Sequence, residues 1–350
     1  MIGRRFPASI LRSWGAGLAL IASLAVLGPA AQAAGAAGAP GAPGALTPIT
    51  IVIFSPPSLG AFLPTVIKQR KIDQANGLDI TFAERTPDAY AAEFNTGEFQ
   101  LGGSASLLTL GLADTRGVKV TYLFNLFDYW GAVVTQRPDV KTLADLRGKE
   151  LAAAKGTTNY TMFEWLARQQ GLDPNSLKVV NTAPPGLIGY ALADRADAVQ
   201  LWEPAYTLLL SKKPGIRTLD LHIDREWRKF AGSTHIPYLG VAAHRGWVAQ
   251  HRDLVPKLYR TYLEAAAWIS AHPGAAAPLI APKADAAGLK AIAALIADNH
   301  RLGMNVEPAG KLKGEIDAVY RAGLSLGYLK SAPSAACDSA PSKTLRVPGD

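Results

Sequence analysis

Short apolar runs rich in β-branched residues alternate along this chain with longer stretches whose apolar positions recur at helical spacing. Residues 49–54 read as a strand, the pair Pro56-Pro57 breaks it, and residues 59–70 place Leu59, Leu63, Val66 and Ile67 on one helical face. The alternation continues with strands expected at 78–82, 99–102 and 118–123 and helices at 88–95 and 105–113. Residues 130–135 read as one more strand, which Arg137-Pro138 ends. The pattern then restarts, with strands at 150–153, 177–180, 196–201 and 216–219 and helical segments at 143–146, 159–170, 186–192 and 205–211. After a strand-like run at 238–243 come helices only, at 253–271, 286–300 and 314–327. Such βα units build parallel sheets covered by helices on both faces. The pattern therefore predicts an α/β protein, and its length suggests two lobes with a cleft between them.

The amino-terminal segment does not fit this pattern and reads differently. Residues 1–12 carry Arg4, Arg5 and Arg12 with no acid, residues 18–28 are apolar, and Ala31-Gln32-Ala33 has the small-x-small form of a signal peptidase site. The apolar run is shorter than the roughly 20 residues of a spanning helix. Residues 1–33 are thus expected to be a secretion signal cleaved near Ala33, which predicts a periplasmic product. Arg4-Arg5-Phe6 leaves the general and twin-arginine export routes both open. No cysteine stands at the cleavage site to take a lipid, so the product is expected to be soluble. The Ala/Gly/Pro tract 34–47 reads as a flexible linker, and 331–350 as a disordered tail.

Composition removes several function classes. The single cysteine, Cys337, excludes an internal disulfide and any cysteine-rich metal or iron–sulfur site, and no motif calls for a cofactor. Of the formal charge of +8, Arg4, Arg5 and Arg12 supply three, which leaves the remainder near +5. No basic cluster exceeds Lys212-Lys213, so nucleic acid is not an expected partner.

Five segments carry a resemblance. They are Asn95-Thr96-Gly97-Glu98-Phe99-Gln100-Leu101-Gly102-Gly103-Ser104, Val140-Lys141-Thr142-Leu143-Ala144-Asp145-Leu146-Arg147-Gly148-Lys149, Ala154-Lys155-Gly156-Thr157-Thr158-Asn159-Tyr160, the stretch 193–204 ending in Trp202-Glu203-Pro204, and the long helix ending at His272-Pro273. In order and spacing the chain from about Pro48 to Tyr328 resembles the nitrate, taurine and aliphatic-sulfonate family of ABC-transporter solute-binding proteins, which also includes binders of thiamine-precursor pyrimidines. The resemblance implies a two-lobed periplasmic-binding-protein fold of type 2. Lobe 1 is then 48–128 with 244–330, lobe 2 is 136–236, and 129–135 and 237–243 are hinge crossings. It further implies a monomer that is not an enzyme. Such a protein takes a small polar organic solute (a sulfonate, a nitrate-like anion or a heteroaromatic such as a pyrimidine) and delivers it to an ABC permease in the inner membrane. An enzyme on the same fold is the runner-up; the yeast thiamine-pyrimidine synthase that resembles this family has a cysteine- and histidine-rich stretch absent here. A ligand-sensing module for a membrane receptor is the third reading.

Ligands of open α/β sheets lie beyond the carboxyl ends of the strands, and that rule selects candidate residues. After the first strand come Ser55, Pro57 and Ser58, and after the third Ser104, Ala105 and Ser106. Gly156, Thr157, Thr158 and Asn159 open a helix, where free N–H groups either receive an anionic group or are met by Thr157 or Thr158 as a cap. Glu203 either faces a ligand N–H or cation, with Trp202 beside a flat group, or sits at the positive end of the next helix. Trp130, with Tyr129 before it, and Tyr238 lie at the crossings, where aromatics line the cleft or wedge the lobes. His235, close to the second crossing, reads as a structural donor.

Overall fold

The computed structural model describes residues 45–334. The expected signal, the linker up to Gly44 and the tail from Ala335, with Cys337, lie outside them. Four strands come first, β1 (Thr47–Phe54), β2 (Leu78–Arg85), β3 (Leu101–Ser106) and β4 (Val120–Asp128). β5 (Ala132–Thr135), β6 (Glu150–Ala153), β7 (Lys178–Asn181), β8 (Ala198–Leu201) and β9 (Arg217–Leu219) follow, and then β10 (Pro237–His244). They form two five-stranded sheets flanked by helices, ordered β2-β1-β3-β10-β4 and β7-β6-β8-β5-β9. β1 runs parallel to β2 and β3, and β6 runs parallel to β7 and β8. One strand in each sheet departs from the parallel rule: β10 is antiparallel to β3 and β4, and β5 is antiparallel to β8 and β9.

Those two antiparallel strands lie where the resemblance implied crossings. Residues 132–135 already belong to the second sheet, and 237–244 already belong to the first. The chain therefore crosses through Tyr129, Trp130 and Gly131. It returns between Leu219 and Pro237 by way of the helix Ile223–Ala231. The sequence reading had not marked that helix, although Ile223, Trp227 and Phe230 stand at helical spacing among charged residues. Trp227 is wholly buried and donates its indole N–H to the carbonyl of His235 at 2.8 Å, which ties the helix to the returning chain.

β3 differs from expectation as well. The strand expected at 99–102 instead runs Leu101–Ser106, every residue buried, and the helix expected from 105 begins only after Ser106, at Leu107–Thr115. Small side chains are required there because neighbours approach closely: a Cβ on Gly102 would run into the Tyr90 hydroxyl, and one on Gly103 would lie 2.9 Å from that of Tyr262.

The carboxyl-terminal part does not stay with one sheet. The helix Leu254–Ala271 packs on the first lobe against the helix Phe62–Arg70, but the helix Ala286–Asp298 lies against the second lobe's helix Ala205–Lys212. The chain then comes back along β4, with bridges Phe127 to Met304 and Phe124 to Pro308, and so covers an otherwise open sheet edge. One cluster of buried apolar side chains extends through both lobes, from Ile51 and Leu123 to Leu151 and Trp227.

Candidate functional site between the lobes

The carboxyl end of β3, the first crossing, the start of the helix Thr158–Gln169, the end of β8 and the start of β10 meet at the seam between the sheets. Thr157 is half-buried and caps the helix, accepting from the Tyr160 N–H at 3.2 Å, and its own hydroxyl donates to the Ala154 carbonyl. Its side chain is thereby used locally. The next two residues instead reach across the seam. Ser106 on β3 donates its hydroxyl to the Thr158 hydroxyl at 2.5 Å. The Asn159 amide donates to the Tyr238 hydroxyl on β10 at 2.6 Å. Thr158 and Asn159 are 3% and 2% exposed.

Two more side chains complete this cluster. Gln200, wholly buried on β8, directs its amide N–H to the Asn159 carbonyl at 3.5 Å. Tyr129 meets Tyr238 edge to face, with ring centroids 6.1 Å apart. Three buried polar atoms of the group lack a hydrogen-bond partner among the described residues: Asn159 Oδ1, Gln200 Oε1 and the Tyr129 hydroxyl. Buried polar atoms are nearly always paired. Burial lifts the Tyr129 phenol well above its usual range and Tyr238 up to about 12, so both remain neutral. The arrangement offers amide, hydroxyl and phenol groups with no formal charge.

On the far side of the first crossing a second cluster is charged. Glu203, 1% exposed, accepts the Thr207 N–H at 3.1 Å and the Thr207 hydroxyl at 3.0 Å, so it caps the helix Ala205–Lys212. Arg301 Nε lies 3.3 Å from the same carboxylate. Burial pushes the Glu203 carboxyl up to about 7, against the opposing pull of Thr207 and Arg301. The Arg301 guanidinium also lies over the rings of Trp130 and Tyr206, at 5.8 and 5.4 Å from their centroids.

The remaining candidates are dispersed. Ser104 is buried within β3, where its hydroxyl accepts the Phe54 N–H at 3.0 Å, and Ala105 is buried beside it. Ser58 donates to the Phe54 carbonyl at 3.3 Å, Ser55 N–H bonds Arg85 O, and Pro57 is exposed; this loop follows β1. Gly156 is exposed and has open space around it. Trp202 is half-buried against the second lobe's apolar cluster together with Trp130. His235 lies on the returning crossing, with Nδ1 2.7 Å from Asp128 Oδ2. Gln200 was not among the sequence candidates, although a lone amide inside the apolar run Ala198 to Leu201 was a visible signal. Arg301 and Tyr206 had none, since only the fold brings position 301 to 203. Among the described residues no group of three or more His, Cys, Asp or Glu is placed to hold a metal ion, and no helix is long and apolar enough to cross a membrane.

The NMT1/THI5-like family profile matches residues 74–276. No curated protein sequence matches the chain. Among solved structures, the periplasmic aliphatic sulphonate binding protein SsuA of Escherichia coli is similar at a TM-score of 0.65 and 17% identity, over 84% of this chain and 92% of that one. The alkanesulfonate-binding protein SsuA of Xanthomonas axonopodis pv. citri, bound to MOPS, aligns at 0.64 and 18% identity over 85% and 98%. A ligand-binding component of an ABC-type import system from Staphylococcus aureus, with zinc bound, aligns at 0.65 and 12% identity over 85% and 98%. The fold is that of the periplasmic binding proteins.

Proposed function

We propose that this chain, which belongs to the NMT1/THI5-like family, is the solute-binding protein of an ABC importer, working in the periplasm and delivering a small polar organic solute to a membrane permease. The solute sits at the seam, between Ser106 and Tyr238 on one side and Thr158, Asn159 and Gln200 on the other, with Tyr129 from the crossing. One observation carries this reading: Asn159 Oδ1, Gln200 Oε1 and the Tyr129 hydroxyl are buried without partners, together, at the seam. Leaving such atoms unpaired costs about 1–3 kcal/mol each, and a bound molecule with complementary groups removes that cost.

The same atoms suggest the solute class. Two amide oxygens accept and a neutral phenol both donates and accepts, so the favoured solute presents N–H or O–H groups along a planar, uncharged face, as a heteroaromatic ring does. A sulfonate is the second reading. It is favoured by the helix start at Thr158, whose positive end suits an anion, and by the named ligands of the two SsuA proteins. The binding reading is preferred to an enzymatic one because the cluster lacks a carboxylate, imidazole or thiol to serve as acid, base or nucleophile. Native mass spectrometry of protein purified without refolding is expected to show a retained small molecule. A protein that carries no extra mass, and whose melting temperature no sulfonate or nitrogen heterocycle raises, overturns the proposal.

A further inference from the structure

Arg301 is set where three parts of the molecule meet. From Gly303 onward the chain is bonded to the first sheet: the Asp128 N–H donates to Gly303 O at 2.7 Å, the Asn305 N–H to Leu126 O at 2.9 Å, and the Asn125 N–H to Glu307 O at 2.8 Å. Arg301 therefore stands in the short span that joins this β4-bonded backbone to the helix Ala286–Asp298, which lies against the second lobe's helix Ala205–Lys212. Its guanidinium engages the other lobe. Nε is 3.3 Å from Glu203, Nη2 donates to the Thr207 hydroxyl at 3.4 Å, and the cation lies over Tyr206. It also covers Trp130, the residue after Tyr129, on the crossing itself.

We propose that Arg301 is a positioning residue that clasps the two lobes in the closed arrangement and, through Trp130, holds Tyr129 at the seam. The role rests on the solute-binding reading given above, but its physical basis does not need a solute. Separating the lobes removes the guanidinium from Glu203, Thr207 and Tyr206 together. It also leaves the carboxylate, buried in the closed form, without its nearby cation. The clasp therefore biases the empty protein toward closure, and apparent affinity scales with the fraction that is binding-competent. Arginine is suited to this place because a planar delocalised cation lies across two rings while facing a carboxylate, which an ammonium does not reproduce.

The test uses the full mature chain without solute. Spin labels at Glu84→Cys in the first lobe and Asn175→Cys in the second, with the single native cysteine removed by Cys337→Ser, report the interlobe distance by pulsed EPR. The clasp predicts one short distance in the parent and, for Arg301→Ala, a shift of about tenfold in the short-to-long population ratio toward the long. Arg301→Lys falls between them. A distance distribution in Arg301→Ala identical to the parent overturns the proposal, whatever the melting temperature does, since a merely structural arginine lowers stability without opening the folded protein. Should Arg301→Ala not fold, Tyr206→Leu with Thr207→Val removes what the guanidinium rests on. That pair must lengthen the distance, and an unchanged distance overturns the clasp equally. Because no solute enters this experiment, failure to find a retained molecule leaves its outcome readable, and failure of the clasp leaves the solute site standing.

Discussion

Two buried polar clusters flank the first crossing, and they are built on opposite terms. Around Tyr129 the groups are neutral and incompletely paired: Asn159, Gln200 and Tyr129 each retain a polar atom without a partner. Around Trp130 the central carboxyl has partners, two bonds from Thr207 and the nearby charge of Arg301, although burial outweighs them and Arg301 Nε makes no hydrogen bond of its own. Consecutive residues thus project into one neutral cluster with acceptors to spare and one charged cluster whose carboxyl is partnered but costly to ionise. A buried carboxyl needs partners if it is to ionise, whereas a neutral amide left with one unpaired oxygen costs less.

The largest expected effect tests the charged side. Burial raises the Glu203 carboxyl from 4.5 to about 7. A group whose folded-state value is raised contributes its full stabilisation below the unfolded value and loses it as the pH climbs through the folded value. The protein therefore gives up on the order of 3 kcal/mol at this site between about pH 4.5 and 7. Glu203→Gln, similar in shape and unable to titrate, is expected to flatten that part of the urea-unfolding profile while leaving solute affinity within about twofold. Affinity lost in that variant, with the fold intact, moves Glu203 into the solute site and breaks the contrast between the clusters.

The neutral side is tested by a trade. Gln200→Met keeps the side-chain length and removes a buried amide oxygen that lacks a partner, giving up only the long 3.5 Å contact to the Asn159 carbonyl. Melting of the empty protein is expected to rise by the equivalent of about 1 kcal/mol, while affinity for the retained solute falls about tenfold to a hundredfold. Asn159→Leu loses binding to a similar extent but gains no stability, since it also gives up the bond to Tyr238. Gln200→Met that lowers stability and preserves binding shows the amide to be scaffold.

Much of this architecture was legible beforehand, and the failures have definite causes. Apolar periodicity located the strands and long helices because burial on both faces of a sheet leaves a nearly continuous apolar run, as in Val120 to Phe127. The end of β3 was set too early, at Gly102, because the small residues 103–106 look like a turn and a helix start when the crowding of Gly103 by Tyr262 is invisible. For the candidate site, strand ends directed attention to Ser106, Thr158 and Asn159, among other residues, and the fold brings these three to one seam. Which of them act locally depends on distances, so sequence treated Thr157 and Thr158 alike although one caps its helix and the other reaches Ser106. Glu203 remained undecided because its partner is far along the chain and arrives only when the helix Ala286–Asp298 packs on the second lobe and the chain after it bonds to β4.

A smaller effect is expected from the direct contact across the seam. Ser106→Ala and Thr158→Ala each remove the same hydroxyl pair. Each is expected to cost about 1 kcal/mol of stability in the closed form, and the double variant to cost no more than either alone. Additive losses from denaturant unfolding show that the two hydroxyls act separately.

The smallest effect concerns a device that joins both crossings. His235, on the returning chain, faces Asp128, the last residue of β4, and Asn305 donates to the same carboxylate oxygen at 3.1 Å. The His235 value is raised from 6.5 chiefly by its hydrogen bond to Asp128 and also by the negative charges of Asp128, Glu315 and Glu307, with burial opposing. Because the folded value is raised, the stabilisation is complete below about pH 6.5 and is lost as the pH rises past the folded-state value. With the imidazole side chain 54% exposed, solvent screens the pair, and the contribution is expected to be a fraction of a kcal/mol. An NMR titration of the ring proton, assigned by its absence in His235→Gln, is expected to show a midpoint above 6.5 that Asp128→Asn brings back toward that value. A midpoint unmoved by Asp128→Asn means that the carboxylate is held by Asn125 and Asn305 alone, and the two crossings are then joined through the Tyr129 N–H to the Ile236 carbonyl and the Tyr129–Tyr238 ring contact.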